Sequence, residues 1–229
     1  MKFNRFAIYF IPDQIELANL GASWLGWDII TGKEVRQIEL SNFDINKFTE
    51  QPKKYGFHAT IKAPFIMKGS KRSTELISAF DEFAEICSPV VLEGLEVKKL
   101  GDFLAFRPVG SEEKLNSLVA NVVEHFDRFR APLTQKEIVK RRRTKLTTIQ
   151  EALMKKWGYP FVMSEFQFHI TLTGPLCQND ADMAYSTVRS LFGDIIKEPF
   201  KVNSLCLAGE DENGRFHLIK RFELLGSIE

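Results

Sequence analysis

The sequence contains one phrase twice, FHATIKAPF at residues 57–65 and FHITLTGPL at residues 168–176. In each copy an apolar residue stands at every second position and a proline interrupts the run, a pattern typical of a β-strand. Because successive side chains of a strand point to opposite faces, each copy should present one apolar face and one polar face. The polar faces carry His58, Thr60 and Lys62 in the first copy, and His169, Thr171 and Thr173 in the second. We therefore predict two strands that offer matching rows of polar side chains to solvent or to a cleft.

The composition fits a globular protein with a substantial core. The chain has 229 residues, of which 44% are hydrophobic, enough for a single domain over residues 1–229. Its 31 basic and 30 acidic residues leave a net charge of only +1, so the overall charge of the protein would not attract nucleic acid or an anionic membrane. The three cysteines form no C-x-x-C pair, and no apolar segment is long enough for a membrane span. These features predict a cytoplasmic location without membrane association.

The order of the predicted elements indicates an internal repeat. Strands, helices and a closing hairpin follow one another in a similar order in both halves, and each half contains one copy of the phrase. We predict an α+β fold of two pseudo-symmetric lobes, roughly 1–110 and 111–229. Antiparallel or mixed sheets should flank a central cleft, with helices on the outer faces.

The paired histidines indicate phosphoryl transfer that needs no metal. One neutral imidazole can take a proton from the attacking oxygen, while a protonated imidazole gives one to the leaving oxygen. The hydroxyls of Thr60 and Thr171 can donate to phosphate oxygens where charge gathers. A zinc site would require a third His, Cys or carboxylate ligand near the two histidines. The nearest acidic residues, Glu50 and Glu165, are not placed on the same strand faces as the histidines by the alternation. We therefore predict no metal and no cofactor.

The two H-x-T phrases, each with alternating apolar residues, resemble the two-histidine phosphoesterase superfamily. Longer stretches are similar to an uncharacterised bacterial branch of that group that is described as phosphonate-metabolism proteins; they are residues 5–10, 55–65, 129–133, 157–161 and 165–174. The resemblance implies a bilobal fold with the histidines facing each other across a cleft. It also implies His58 and His169 as general acid and base, in either order, with Thr60 and Thr171 holding phosphate.

Further polar residues are candidates for substrate binding, each with a structural alternative. Lys62 and Thr173 are predicted to lie on the same strand faces as the histidines, but they could equally be solvent-exposed residues at the ends of edge strands. Three tyrosines could stack on a base or ribose or pack in the core; they are Tyr9, Tyr55 and Tyr159.

A basic segment lies between the two phrases, and most such runs are solvated surface. Beside a phosphate cleft, its arginines could instead grip a second phosphate, since a guanidinium binds phosphate bidentately. The candidates in this segment are Arg130, Arg141 and Arg142.

Our leading hypothesis is a phosphoesterase of the 2′,3′-cyclic phosphodiesterase type, acting on a small phosphorylated or cyclic phosphorylated sugar or nucleotide. A role in phosphonate metabolism would favour a ribosyl phosphate. The alternatives are an enzyme acting on RNA or oligonucleotide ends, and a module that binds a phosphate ligand or RNA without turnover. The balanced charge argues mildly against RNA. No obligate protein partner is evident from the sequence.

Overall fold

The computed structural model describes residues 1–40, 44–196 and 199–227. In these ranges the strands are β1 (Arg5–Phe10), β2 (Trp27–Asp28), β3 (Lys33–Glu34), β4 (Ala59–Phe65), β5 (Val90–Leu92), β6 (Gly94–Leu100), β7 (Phe103–Val109), β8 (Ile170–Thr171), β9 (Phe200–Val202), β10 (Ser204–Glu210) and β11 (Phe216–Glu223). The α-helices are α1 (Ile15–Leu25), α2 (Ile45–Lys53), α3 (Ser73–Ile86), α4 (Glu113–Phe126), α5 (Gln135–Arg141), α6 (Thr148–Trp157) and α7 (Gln178–Phe192). No α-helix in the described ranges is long and apolar enough to span a bilayer.

Seven strands form the main sheet, in the order β11-β10-β1-β4-β8-β7-β6. Each neighbouring pair in it is antiparallel. The predicted α+β class with antiparallel sheets is therefore confirmed. The two copies of the phrase form the neighbouring strands β4 and β8 at the middle of this sheet, where the recorded pairing is a single residue pair, Ala59 with Ile170.

The two halves of the chain exchange their hairpins. The β6–β7 hairpin of the first half pairs with β8 of the second half, whereas the β10–β11 hairpin of the second half pairs with β1 of the first. The sheet thus has two wings that meet at β4 and β8, but neither wing is a contiguous segment. The predicted lobes 1–110 and 111–229 do not correspond to these wings, because strand pairing joins residues far apart in sequence.

The two faces of the sheet have different coverings. On one face, alternate apolar side chains such as Phe10, Ile61 and Phe106 join the main core with residues of α1, α3, α4 and α7. On the other face, a smaller cluster that includes Tyr9, Phe216 and Trp27 covers only the β1–β10–β11 wing. The middle of this second face, over β4 and β8, lines an open cleft.

Candidate active site

The strand register brings the four residues of the two H-x-T phrases together. Ala59 pairs with Ile170 in antiparallel register, which sets His58 opposite Thr171 and Thr60 opposite His169. Directly opposed side chains have Cβ atoms about 5 Å apart, and diagonal ones about 7–8 Å. The two imidazoles therefore occupy one diagonal of a square and the two hydroxyls the other. All four side chains line the same cleft, as the alternation predicted.

Both imidazoles are anchored in the same way. Nδ1 of His58 lies 2.9 Å from the carbonyl oxygen of Gly56, and Nδ1 of His169 lies 2.8 Å from that of Gln167. A carbonyl oxygen only accepts hydrogen bonds, so Nδ1 carries the proton in both rings. In the neutral ring Nε2 then keeps the lone pair, and in His58 it lies 3.0 Å from the Thr60 hydroxyl, which donates to it. The repeat thus presents two equivalent nitrogens to the cleft.

His58 is the more buried of the two histidines. The residue is 9% exposed, and its ring lies against Tyr9 with 3.8 Å between the ring centroids. Burial lowers the pKa of His58 to about 4, against the opposing effect of the bond to Gly56, and nearby His169 lowers it further. His58 is therefore neutral at physiological pH. Burial also lowers the pKa of His169, and the guanidinium of Arg107 acts in the same direction.

The cleft around this square has a volume of about 820 Å³ and a basic lining. Among the described residues that line it, Glu137 is acidic, whereas Arg5, Lys136, Lys140 and Arg141 are basic. The near-neutral chain therefore concentrates positive charge where the histidines are. No three His, Cys, Asp or Glu side chains of the described residues are grouped so as to hold a metal ion.

Four of the other predicted binding residues line the cleft: Tyr9, Tyr55, Tyr159 and Arg141. Arg141 lies over the ring of Tyr159, with 5.0 Å between its Cζ and the ring centroid. Tyr55 stacks on Phe216 at 5.4 Å.

Sequence reasoning identified Arg141 but missed three other lining residues of α5, which are Lys136, Glu137 and Lys140. The basic segment was interpreted as a run of charge, but Thr134 caps a helix there by accepting from the backbone amide of Glu137 in a capping box. Helical spacing then puts Glu137, Lys140 and Arg141 on one face. The T-x-x-E pattern followed by this spacing was the signal that could have located them. Arg5, which pairs with Glu210, was also missed, although strand alternation places it on the same face of β1 as Tyr9.

Lys62 does not lie in the cleft, contrary to the prediction from alternation. The β1–β4 register shifts between the Tyr9–Thr60 and Ile8–Lys62 pairs, so a bulge turns the next side chain to the other face. Lys62 is 3% exposed and its Nζ donates to the carbonyl of Val123 and to Oδ1 of Asp127, each at 3.1 Å. It supports the contact between β4 and α4.

Thr173 is also buried away from the cleft, because the second strand is shorter than predicted. β8 ends at Thr171, and the next two backbone amides both donate to the carbonyl of Leu104. The Thr173 hydroxyl then accepts from the amide of Leu104 at 3.0 Å. Its role in the structure is to hold the chain that leaves the strand.

Two of the three predicted arginines have partners elsewhere. Arg130 makes a two-pronged ion pair with Asp127, at 2.8 and 3.1 Å, and does not line the histidine cleft. Arg142 is exposed and pairs with Glu151 of α6. Neither arginine therefore lies in the cleft: Arg130 precedes α5 and is held by Asp127, and Arg142 caps the end of α5 and turns to α6.

Solved structures of similar architecture cover nearly the whole chain at low identity. The TT0787 protein of Thermus thermophilus has a TM-score of 0.48 at 13% identity and covers 98% of this chain and 100% of its own. The E. coli LigT complex with NADP+ has a TM-score of 0.44 at 12% identity, covering 98% and 99%.

The chain has sequence relatives in bacteria, and it matches one protein family. The ribose 1,5-bisphosphate phosphokinase PhnN of Janthinobacterium sp. (strain Marseille) is 33% identical over 221 residues, 93% of this chain. Its counterpart in Laribacter hongkongensis (strain HLHK9) is 27% identical over 219 residues, 92% of this chain. The chain spans 49% of each of these curated relatives. Residues 60–217 match a family described as "Protein of unknown function (DUF1045)", and the chain belongs to that family.

Proposed function

We propose that the protein is a phosphoesterase that hydrolyses a small cyclic phosphorylated sugar. The observation that carries the proposal is the square of two histidines and two threonines, in which both imidazoles are anchored through Nδ1. A phosphate seated over the square would have one nitrogen and one hydroxyl on each side. This is the arrangement that in-line displacement at phosphorus requires, because base and acid act at opposite ends.

His58 acts as the general base in this proposal. It is neutral at physiological pH, so its Nε2 can accept a proton from the attacking water once the Thr60 hydroxyl turns to the phosphate. The water oxygen forms a bond to phosphorus while one of the two ring P–O bonds breaks. The ring of Tyr9 and the bond to Gly56 hold the imidazole in place. The preorganised base therefore needs little reorientation.

His169 acts as the general acid and returns a proton to the sugar oxygen that leaves. Its ring is less buried than that of His58, and a bound phosphate anion would raise its pKa by favouring the charged form. The hydroxyls of Thr60 and Thr171 would donate to the non-bridging oxygens, where negative charge grows in the transition state. One proton is taken and one is given, so the ring is opened with net addition of water.

The relatives support a ribosyl substrate. They carry the name of an activity on ribose 1,5-bisphosphate, yet this chain spans about half their length. The sequence contains no G-x-x-x-x-G-K-[ST] run of the P-loop type. A phosphoesterase unit that shares a chain with such an activity could supply its substrate. Opening the 1,2-cyclic phosphate of ribose 5-phosphate at the bond to O2 yields ribose 1,5-bisphosphate.

An oligonucleotide end with a cyclic phosphate is the second candidate. The observation that favours it is a pair of partly exposed aromatic rings along the cleft, Tyr55 and Phe161, which could stack on a base. A binding module without turnover would use the same cleft, and the assay below separates it from both enzymes.

The test is hydrolysis by the purified protein, followed by ³¹P NMR. The panel contains ribose 1,2-cyclic phosphate, its 5-phosphate, nucleoside 2′,3′-cyclic phosphates and an oligonucleotide with a cyclic phosphate end. We expect the sugar esters to be opened, and a His58→Ala/His169→Ala protein to lose the activity. Hydrolysis of the oligonucleotide alone would favour the second candidate. Binding without hydrolysis of any member would contradict both enzymes.

A further inference from the structure

A second group of hydrogen-bond donors lies beside the histidine square. It consists of Arg5, Tyr9, Tyr55, Arg141 and Tyr159, and the guanidinium of Arg141 lies over the ring of Tyr159. All five residues line the same cleft. Phenol and guanidinium groups are donors, and two guanidiniums in one pocket favour an anionic ligand. We call these five residues the donor cluster.

The hydroxyl of Tyr9 has no hydrogen-bond partner among the described residues, although it is buried. Tyr9 has 0% exposure, and burial raises its pKa well above the ordinary value, so the hydroxyl keeps its proton. A buried polar group without a partner is costly and usually has one in the working state of a protein. Because Tyr9 lines the cleft, a ligand there can provide the missing acceptor.

Arg141 supplies a second unsatisfied donor. Its Nε is buried and has no hydrogen-bond partner in the described part of the chain. The guanidinium lies over the Tyr159 ring, and the electrostatic neighbours are Glu137, Arg5 and Arg130 besides that tyrosine. Stacking on an aromatic ring restricts the orientation of the guanidinium, whose N–H groups can then donate to a planar or tetrahedral oxyanion.

Glu137, the acidic residue that lines the cleft, is engaged at the start of its own helix. Glu137 accepts from both the backbone amide and the hydroxyl of Thr134 through Oε2, at 2.8 Å each. These bonds lower its pKa against the effect of burial. The carboxylate is therefore turned to the start of its own helix, and Arg5 is paired with Glu210.

We propose that the donor cluster is a subsite for a second phosphate group, so that the substrate is a sugar carrying a phosphate monoester in addition to the ester that reacts. This inference rests on the proposed function for the role of the histidines, but the subsite itself does not need turnover. The monoester would accept from the Tyr9 hydroxyl and pair with the Arg141 guanidinium. It would orient the sugar so that the reacting phosphate lies over the histidine square. Non-phosphorylated sugars would lose this orientation.

The test compares ribose 1,2-cyclic phosphate with and without a 5-phosphate. We expect wild-type kcat/KM to be higher for the 5-phosphorylated ester, and Arg141→Met to reduce this preference by about 10- to 100-fold, the range for a lost bond to a charged group. Tyr9→Phe keeps the ring against His58 and removes a hydrogen bond to the same charged phosphate, so it should also reduce the preference by about 10- to 100-fold. Arg142→Met is the matched control, because Arg142 neighbours Arg141 but pairs with Glu151 outside the cleft; it should keep the wild-type preference.

Binding of ribose 5-phosphate separates this inference from the proposed function. In a His58→Asn/His169→Asn protein we expect calorimetry to detect binding, and added Arg141→Met to weaken it at least tenfold. The subsite is overturned if Arg141→Met and Arg142→Met leave the same affinity, or if wild type hydrolyses both esters equally well. A third outcome has two parts: the double histidine variant binds ribose 5-phosphate in a way that depends on Arg141, and wild type hydrolyses none of the esters. This outcome would uphold the subsite and overturn only the proposed function.

Discussion

Protonation of His58 should destabilise the folded protein, and the size of the effect follows from its burial. The pKa of His58 is about 4 in the fold, against about 6.5 for an unfolded histidine. Between these values the unfolded chain binds a proton that the folded chain does not. Stability is therefore complete above about pH 6.5 and is lost as the pH falls toward 4.

The linkage relation gives the magnitude. At pH 5 the loss amounts to about 2 kcal/mol, and it reaches about 3 kcal/mol below pH 4. His58→Asn removes the titrating ring but retains an amide nitrogen that can donate to the carbonyl of Gly56. We expect the variant to be less stable than wild type at pH 7, because it leaves space beside Tyr9, and to lose less stability on acidification.

Urea unfolding at pH 7 and pH 5 measures this difference. The drop in unfolding free energy between the two pH values should be about 2 kcal/mol larger in wild type than in His58→Asn. His125→Asn, on the more exposed flank of α4, is the control and should change the drop by less. Equal drops in wild type and His58→Asn, or an NMR titration of His58 with a midpoint near 6.5, would show that His58 is not held neutral by burial.

Three further predictions concern activity and the buried lysine. His58→Ala and His169→Ala should each reduce kcat by about 10²- to 10⁴-fold, and the double variant should be little worse than either single variant in steady-state kinetics; multiplicative losses would contradict joint action. The kcat/KM of wild type should be maximal below about pH 6.5, because burial lowers the pKa of both histidines; a pH–rate profile with an alkaline optimum would argue against this pair. Lys62→Met should lower the unfolding free energy by about 1–3 kcal/mol and leave KM unchanged, since Lys62 donates to Asp127 and does not line the cleft. A raised KM with unchanged stability in urea unfolding would indicate that Lys62 binds substrate.

Local patterns located the strands of the two repeated phrases and the faces of their histidines and first threonines. Alternation put His58 and Thr60 on one face because the side-chain period of a strand depends only on the backbone of that strand. Alternation also put His169 and Thr171 on one face, and both line the cleft. The prediction failed at Lys62 and Thr173, where a bulge and a strand end interrupted the period. Such interruptions depend on the neighbouring strand, so the sequence of one strand does not reveal them.

What the polar side chains of the two strands face, and which other residues line the cleft with them, depends on contacts between distant segments. Pairing of Ala59 with Ile170 joins segments more than a hundred residues apart, and the exchange of hairpins between the halves is equally non-local. Neighbouring arginines were separated in the same way: Arg141 turned inward over Tyr159, while Arg142 turned to Glu151. The histidines, the threonines and their strand faces could be predicted from the amino-acid sequence, since residue type and strand period are local properties. Only packing between distant segments determined that these side chains meet in one basic cleft.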